Sequence, residues 1–111
     1  MTEKLSLEEL HEALKKLDNW QLFEEGQALT KTYKFDDFAQ AFSFMTQVAL
    51  YAEKVNHHPE WTNTYNKILV KLSTHDSGGV SAKDINFALY MDEVAFRFLN
   101  PCMSNHSDQV F

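Results

Sequence analysis

Residues 53–84 read EKVNHHPEWTNTYNKILVKLSTHDSGGVSAKD. Within them Ile68, Val70 and Leu72 alternate with Leu69, Lys71 and Ser73, the two-residue period of a strand with one buried face. A shorter strand is expected over residues 61–65, and Asn66-Lys67 marks the hairpin tip between the two. His75-Asp76-Ser77-Gly78-Gly79 is a loop by composition. Ser81 and Asp84 then have the S-x-x-D spacing of a capping box, which opens a helix. The stretch therefore holds a hairpin, a loop and a helix start. It is entered from a helix that has to stop before Pro59, because proline biases His58 away from helical geometry.

Upstream, residues up to Val55 contain neither Gly nor Pro from Asp36 onward. Asp36 and Asp37 supply an N-cap and a negative first turn. Phe38, Ala41, Phe42, Met45, Val48, Ala49 and Ala52 fall on one stripe of that helix. Phe44 and Tyr51 lie beside the stripe and widen it; one reading is a deeply packed core helix, and the favoured one, because a domain this small has little core left to cover them, is that the two aromatics face another subunit. Earlier still, Leu29, Tyr33 and Phe35 alternate with Thr30, Thr32 and Lys34, and the run at residues 20–23 pairs with them as a first hairpin around Gly26. The chain begins with an S-x-x-E capping box at Ser6 and Glu9, followed by Leu7, Leu10, Leu14 and Leu17 at helical spacing and a stop near Asp18-Asn19. Downstream, Phe87, Ala88, Met91, Val94, Ala95 and Phe98 form one face of a last helix that ends before Asn100-Pro101. The order is α-β-β-α-β-β-α. The fold class is α+β, a four-stranded antiparallel sheet with three helices on one face. Residues 1–111 form one domain, with 101–111 a loose tail.

With a formal net charge of -6 the chain is a poor direct binder of phosphate backbones, which need a basic face, so no direct nucleic-acid partner is expected. No apolar run reaches the ~20 residues that span a bilayer. The first residues are charged and amphipathic, unlike a secretory signal. Cys102 is the single cysteine, so no disulfide closes within one chain, which fits a reducing compartment. A soluble intracellular protein is expected.

Three of the five histidines, His57, His58 and His75, fall in the opening stretch. Histidine changes charge near pH ~6.5, so two of them around one pocket can serve as acid and base at neutral pH. Trp61 offers a flat face to a ring substrate, and Glu53 and Asp84 offer carboxylates that orient an imidazole. The residues alone leave other readings open. His11 and His106 read as surface residues, Trp61 fits a core, and the capping role alone accounts for Asp84. Three histidines with Glu53 are also a conceivable metal set, although their spacing matches no short zinc pattern.

Glu53-Lys54, His57-His58-Pro59-x-Trp61, Thr74-His75 and Gly79-x-Ser81-x-x-Asp84 together resemble the signature of the pterin-4a-carbinolamine dehydratases. The resemblance runs from Leu5 to Phe98. It implies dehydration of 4a-hydroxytetrahydrobiopterin to quinonoid dihydrobiopterin, which recycles the cofactor of aromatic amino-acid hydroxylases. It implies His57 and His75 as the acid–base pair, and His58 as the residue that binds and orients the pterin. Trp61, Glu53 and Asp84 support the pocket, and groups at Ser73 and Thr74 meet the pterin edge. No metal or organic cofactor is expected. The resemblance also implies a second role, as dimerisation cofactor of a homeodomain transcription factor. With it come a homo-oligomer, dimer or tetramer, through the helix of Phe44 and Tyr51, and a cytoplasmic location extending to the nucleus.

Overall fold

The computed structural model describes residues 3–99. The expectations for the tail, for Cys102 and His106, and for the stop at Asn100-Pro101 lie outside the described residues. The elements are α1 (Leu7–Leu14), β1 (Gln21–Phe23), β2 (Ala28–Lys34), α2 (Phe38–Val55), β3 (Glu60–Thr64), β4 (Lys67–Leu72), a 3-10 turn (His75–Ser77) and α3 (Ala82–Leu99). The strands form one antiparallel sheet in the order β1-β2-β4-β3, so the two hairpins join through their second strands. This is the expected α+β architecture. In β4 the side chains of Ile68, Val70 and Leu72 are fully buried while Leu69 is exposed, so the alternation sets one wet and one dry sheet face. Leu10 from α1, Ala41, Phe44 and Val48 from α2, and Phe87, Met91 and Val94 from α3 complete one apolar cluster on the dry face.

α1 is shorter than its leucine spacing suggests. Its last bonds run from Lys15, Lys16 and Leu17 back three residues, to Glu12, Ala13 and Leu14. The coil therefore tightens after Leu14 and leaves the α-helical course. The capping box at Ser6 and Glu9 is formed in both directions.

The assignment of Phe44 to a subunit contact is overturned, and Tyr51 has a place inside one subunit. Phe44 is 0% exposed, with its ring centroid 4.9 Å from those of both Tyr33 and Phe35. Tyr51 is half-buried and stacks on Tyr90 at 3.9 Å. Outside stand Phe42, 54% exposed, and Leu50, 70% exposed. The buried stripe of α2 is Ala41, Phe44, Val48 and Ala52. Ala41, Val48 and Ala52 belong to the expected stripe, but the buried face is rotated from the centre of that stripe by roughly 55°, at about 100° per residue, towards Phe44 and away from Phe38, Phe42 and Ala49.

One polar cluster ties the sheet to α3. Asp92 accepts hydrogen bonds from the Trp20 indole at 3.0 Å, the Lys31 ammonium at 2.7 Å and the Tyr33 hydroxyl at 2.5 Å. Burial, reinforced by the Asp92 charge, pushes the Tyr33 phenol far above its ordinary range. A cavity of about 630 Å³ opens beside this cluster and has no histidine in its lining. Among the described residues no helix is long and apolar enough to cross a membrane.

Candidate active site

The site starts from how α2 ends. Asn56 takes the left-handed conformation (φ 53°, ψ 47°), which asparagine tolerates better than most residues. The turn brings the His57 N–H to the Ala52 carbonyl at 3.1 Å. It sets the imidazole against the first two turns of α3, where the His57 ring meets Phe87 edge-on with centroids 6.0 Å apart. His57 Nε2 lies 2.6 Å from Asp84 Oδ1.

Asp84 is completely buried. A buried carboxylate without partners costs several kcal/mol. Here the second oxygen, Oδ2, accepts the Thr74 hydroxyl at 2.7 Å and the Ser81 N–H at 2.9 Å. Thr74 Oγ1 and Ser81 Oγ are 2.6 Å apart. The Ser81–Asp84 pair is thus the expected helix cap, and the same carboxylate also holds a histidine.

The loop that carries Thr74 is pinned at several points. The Thr74 N–H donates to the Gly79 carbonyl at 2.9 Å, and the Thr74 carbonyl accepts from Ser77 at 3.0 Å. Gly78 closes the turn at φ 77°, where residues with a β-carbon are strained. At Gly79 an added β-carbon would stand 2.8 Å from the Gly26 carbonyl oxygen, so only glycine lets this loop approach the β1–β2 turn. The Val80 N–H then donates to that same carbonyl at 3.0 Å.

The Pterin 4 alpha carbinolamine dehydratase family model matches residues 3–94. The chain belongs to this family. A provisionally named pterin-4-alpha-carbinolamine dehydratase of Sinorhizobium fredii is 52% identical over 93 residues, covering 84% of this chain and 89% of that protein. A crystal structure from Brucella melitensis, described as a transcriptional coactivator/pterin dehydratase, superposes with a TM-score of 0.80 at 49% identity. The match covers 83% of this chain and 98% of that one. A pterin dehydratase-like RuBisCO assembly factor of the alpha-carboxysome superposes with a TM-score of 0.61 at 22% identity, over 70% of this chain and 90% of that one. That likeness concerns the fold alone.

In this member of the dehydratase family the expected site residues divide into groups. His57, Asp84 and Thr74 join in one hydrogen-bonded network. His58 pairs separately with Glu53 at 2.7 Å, on the exposed end of α2. His75 follows Thr74 directly and is exposed, as is Ser73. Trp61 is half-buried against the core, opposite Val70 on the neighbouring strand. A cleft of about 140 Å³ lies beside His57, lined also by Tyr51, Val55, Lys83 and Asn86. Sequence reasoning missed Lys83 and Asn86, which sit at exposed positions in the first turns of α3. It placed Tyr51 on an outer face and credited Ser81 with helix capping alone. The S-x-x-D spacing was the available signal for Ser81, because a cap at this loop is also a neighbour of Thr74. Among the described residues no group of three His, Cys, Asp or Glu side chains is arranged to hold a metal ion.

Proposed function

We propose that the protein dehydrates 4a-hydroxytetrahydrobiopterin to quinonoid dihydrobiopterin by histidine acid–base catalysis, in tetrahydrobiopterin recycling. The observation that carries this reading is His57, beside a cleft and hydrogen-bonded to a fully buried carboxylate, in a chain of the dehydratase family. The reaction breaks the C4a–O bond. One proton goes to the leaving oxygen, which departs as water, and one leaves the neighbouring ring nitrogen, whose electron pair closes the C=N bond. His57 and His75 exchange these two protons. His58, oriented by Glu53, binds the ring, and Trp61, Ser73 and the loop around Thr74 border it. The cleft is smaller than the ~300 Å³ at which drug-sized ligand pockets begin. It therefore takes part of the pterin, and the rest lies towards exposed His58 and His75. The protein works without a metal or organic cofactor, in the cytoplasm.

The test is a spectrophotometric dehydratase assay on synthetic 4a-hydroxytetrahydrobiopterin. His57→Ala and His75→Ala lower kcat by roughly 10²–10⁴-fold, and His58→Ala mainly raises KM. A wild-type rate no faster than buffer removes the enzyme reading. His58→Ala abolishing turnover while His57→Ala leaves it intact removes the role assignment.

A second role rests on the exposed side of α2. Phe38, Phe42 and Leu50 stand in solvent, and a groove of about 540 Å³ runs between Phe42, Leu50 and Phe98. The Brucella melitensis relative is described as a coactivator as well as a dehydratase. This face is offered to a second copy of the chain in a dimer or tetramer, or to a homeodomain transcription factor, which requires a nuclear fraction of the protein.

A further inference from the structure

Asp84 is surrounded by donors whose directions can be read in sequence. The Thr74 hydroxyl gives its hydrogen to Asp84 Oδ2. Its oxygen therefore accepts at the 2.6 Å contact with Ser81, and the Ser81 hydroxyl is the donor there. Ser81 Oγ in turn accepts the Lys83 N–H at 3.2 Å. The chain runs one way: Lys83 N–H to Ser81 Oγ–H to Thr74 Oγ1–H to Asp84 Oδ2. The Ser81 N–H adds a second donor to that oxygen at 2.9 Å. Two hydrogen bonds donated to Oδ2 favour the carboxylate anion over the acid, and the anion has no hydrogen to give, so Oδ1 is an acceptor. The group 2.6 Å away, His57 Nε2, must then carry the hydrogen.

We propose that Thr74 and Ser81 are positioning residues whose hydroxyls, acting through Asp84, hold His57 as its Nε2–H tautomer, so that Nδ1 is the atom that exchanges a proton with the substrate. The assignment of a substrate to Nδ1 rests on the dehydratase reading. The tautomer does not. When Nδ1 takes the proton, Nε2–H stays on Asp84, whose charge balances the imidazolium, and no second proton moves. Thr74 is 7% exposed and Ser81 and Asp84 0%, so water does not substitute for a lost hydroxyl. The Thr74 side chain accordingly serves Asp84 and is not a pterin contact.

The test records long-range ¹H–¹⁵N spectra of the histidine rings in wild type, Thr74→Val and Thr74→Ser, beside kcat, KM and the pH–rate profile. Thr74→Val keeps the volume and removes the hydroxyl, without touching the α3 cap. The wild type is expected to show His57 with a pyrrole-type Nε2 and a pyridine-type Nδ1 when neutral. Thr74→Val mixes the two tautomers, lowers kcat on the order of 10-fold, leaves KM within about 2-fold, and moves the acidic limb of the profile. Thr74→Ser restores the single tautomer and the rate. An Nδ1–H tautomer in the wild type overturns the proposal even if no variant folds. An unchanged tautomer and pH profile in folded Thr74→Val overturns it too. A wild type with the stated tautomer and no dehydratase activity upholds the hydrogen-bond chain and removes the proposed function instead.

Discussion

Replacing Phe44 with alanine separates a core residue from an interface residue. Phe44 has no exposed surface and packs its ring against Tyr33 and Phe35 at 4.9 Å. Both neighbours stand on the β2 side of the core, so neither follows α2 into the cavity that truncation would leave. A buried Phe→Ala change costs about 3–5 kcal/mol. A domain of this size has a total stability of about 5–15 kcal/mol, and each kcal/mol moves Tm by roughly 4–8 °C. Phe44→Ala should therefore lose at least about 12 °C. Phe42→Ala, at a position 54% exposed, should cost under about 1 kcal/mol within one subunit. The assay is urea unfolding followed by far-UV circular dichroism at two protein concentrations, because a contact between copies makes stability depend on concentration and a core contact does not. The Phe44→Ala loss should be the same at both concentrations. If instead Phe44→Ala costs less than about 1 kcal/mol, or if its cost appears only at the higher concentration, then Phe44 is not in the core of one subunit.

Phe42→Asp with Leu50→Lys places charges on the exposed side of α2, and sedimentation should show a smaller species whose rate in the dehydratase assay equals that of the wild type. An unchanged mass would show that this face carries no contact between copies. Tyr33 supplies a pH test. Burial and then Asp92 raise its phenol, so above pH ~10 the unfolded chain has lost a proton that the folded protein still holds, and stability falls as pH rises. Tyr33→Phe should flatten that fall by up to about 1.4 kcal/mol per pH unit in urea titrations between pH 8 and 11. Equal slopes in the two proteins would refute the assignment.

β4 was legible because it has one wet and one dry face. Ile68, Val70 and Leu72 are inward at two-residue spacing, and nothing in Lys67–Leu72 competes with that reading. α2 was harder because it is apolar on most sides. With Phe38, Phe42 and Leu50 outside and Phe44 and Val48 inside, several stripes fit the same sequence, and only packing against Tyr33 and Phe35 selects one. The histidine motif lies at the end of the molecule where the structure joins His57 to Asp84. Asp84 was legible as a carboxylate able to orient an imidazole, but with His57 and Asp84 27 residues apart nothing in the sequence says which histidine it meets. The Asp92 cluster had a signal that went unused. Lys31 lies between Leu29 and Tyr33 on the inward face of β2, and a cation on a core face demands an anion opposite it.

That demand explains how α3 is held at one height. Its stripe of Phe87, Ala88, Met91, Val94, Ala95 and Phe98 fixes which face turns inward, but it repeats. Sliding the helix by seven residues would lay Phe87 in the place of Val94, Ala88 in that of Ala95, and Met91 in that of Phe98, apolar on apolar throughout. The two carboxylates break this degeneracy. Asp84 must meet Thr74 and His57 while Asp92 meets Trp20, Lys31 and Tyr33. Eight residues of helix set those points about 12 Å apart. That slide would bring Ile85 to the place of Asp92, leaving Lys31 without its charge partner and the Tyr33 hydroxyl against an apolar side chain, and would carry Asp84 away from Thr74 and His57. The height of α3 in turn decides where Asp84 Oδ1 stands relative to His57. The sheet end of the molecule, through Asp92, thus fixes the geometry from which the histidine end draws its tautomer.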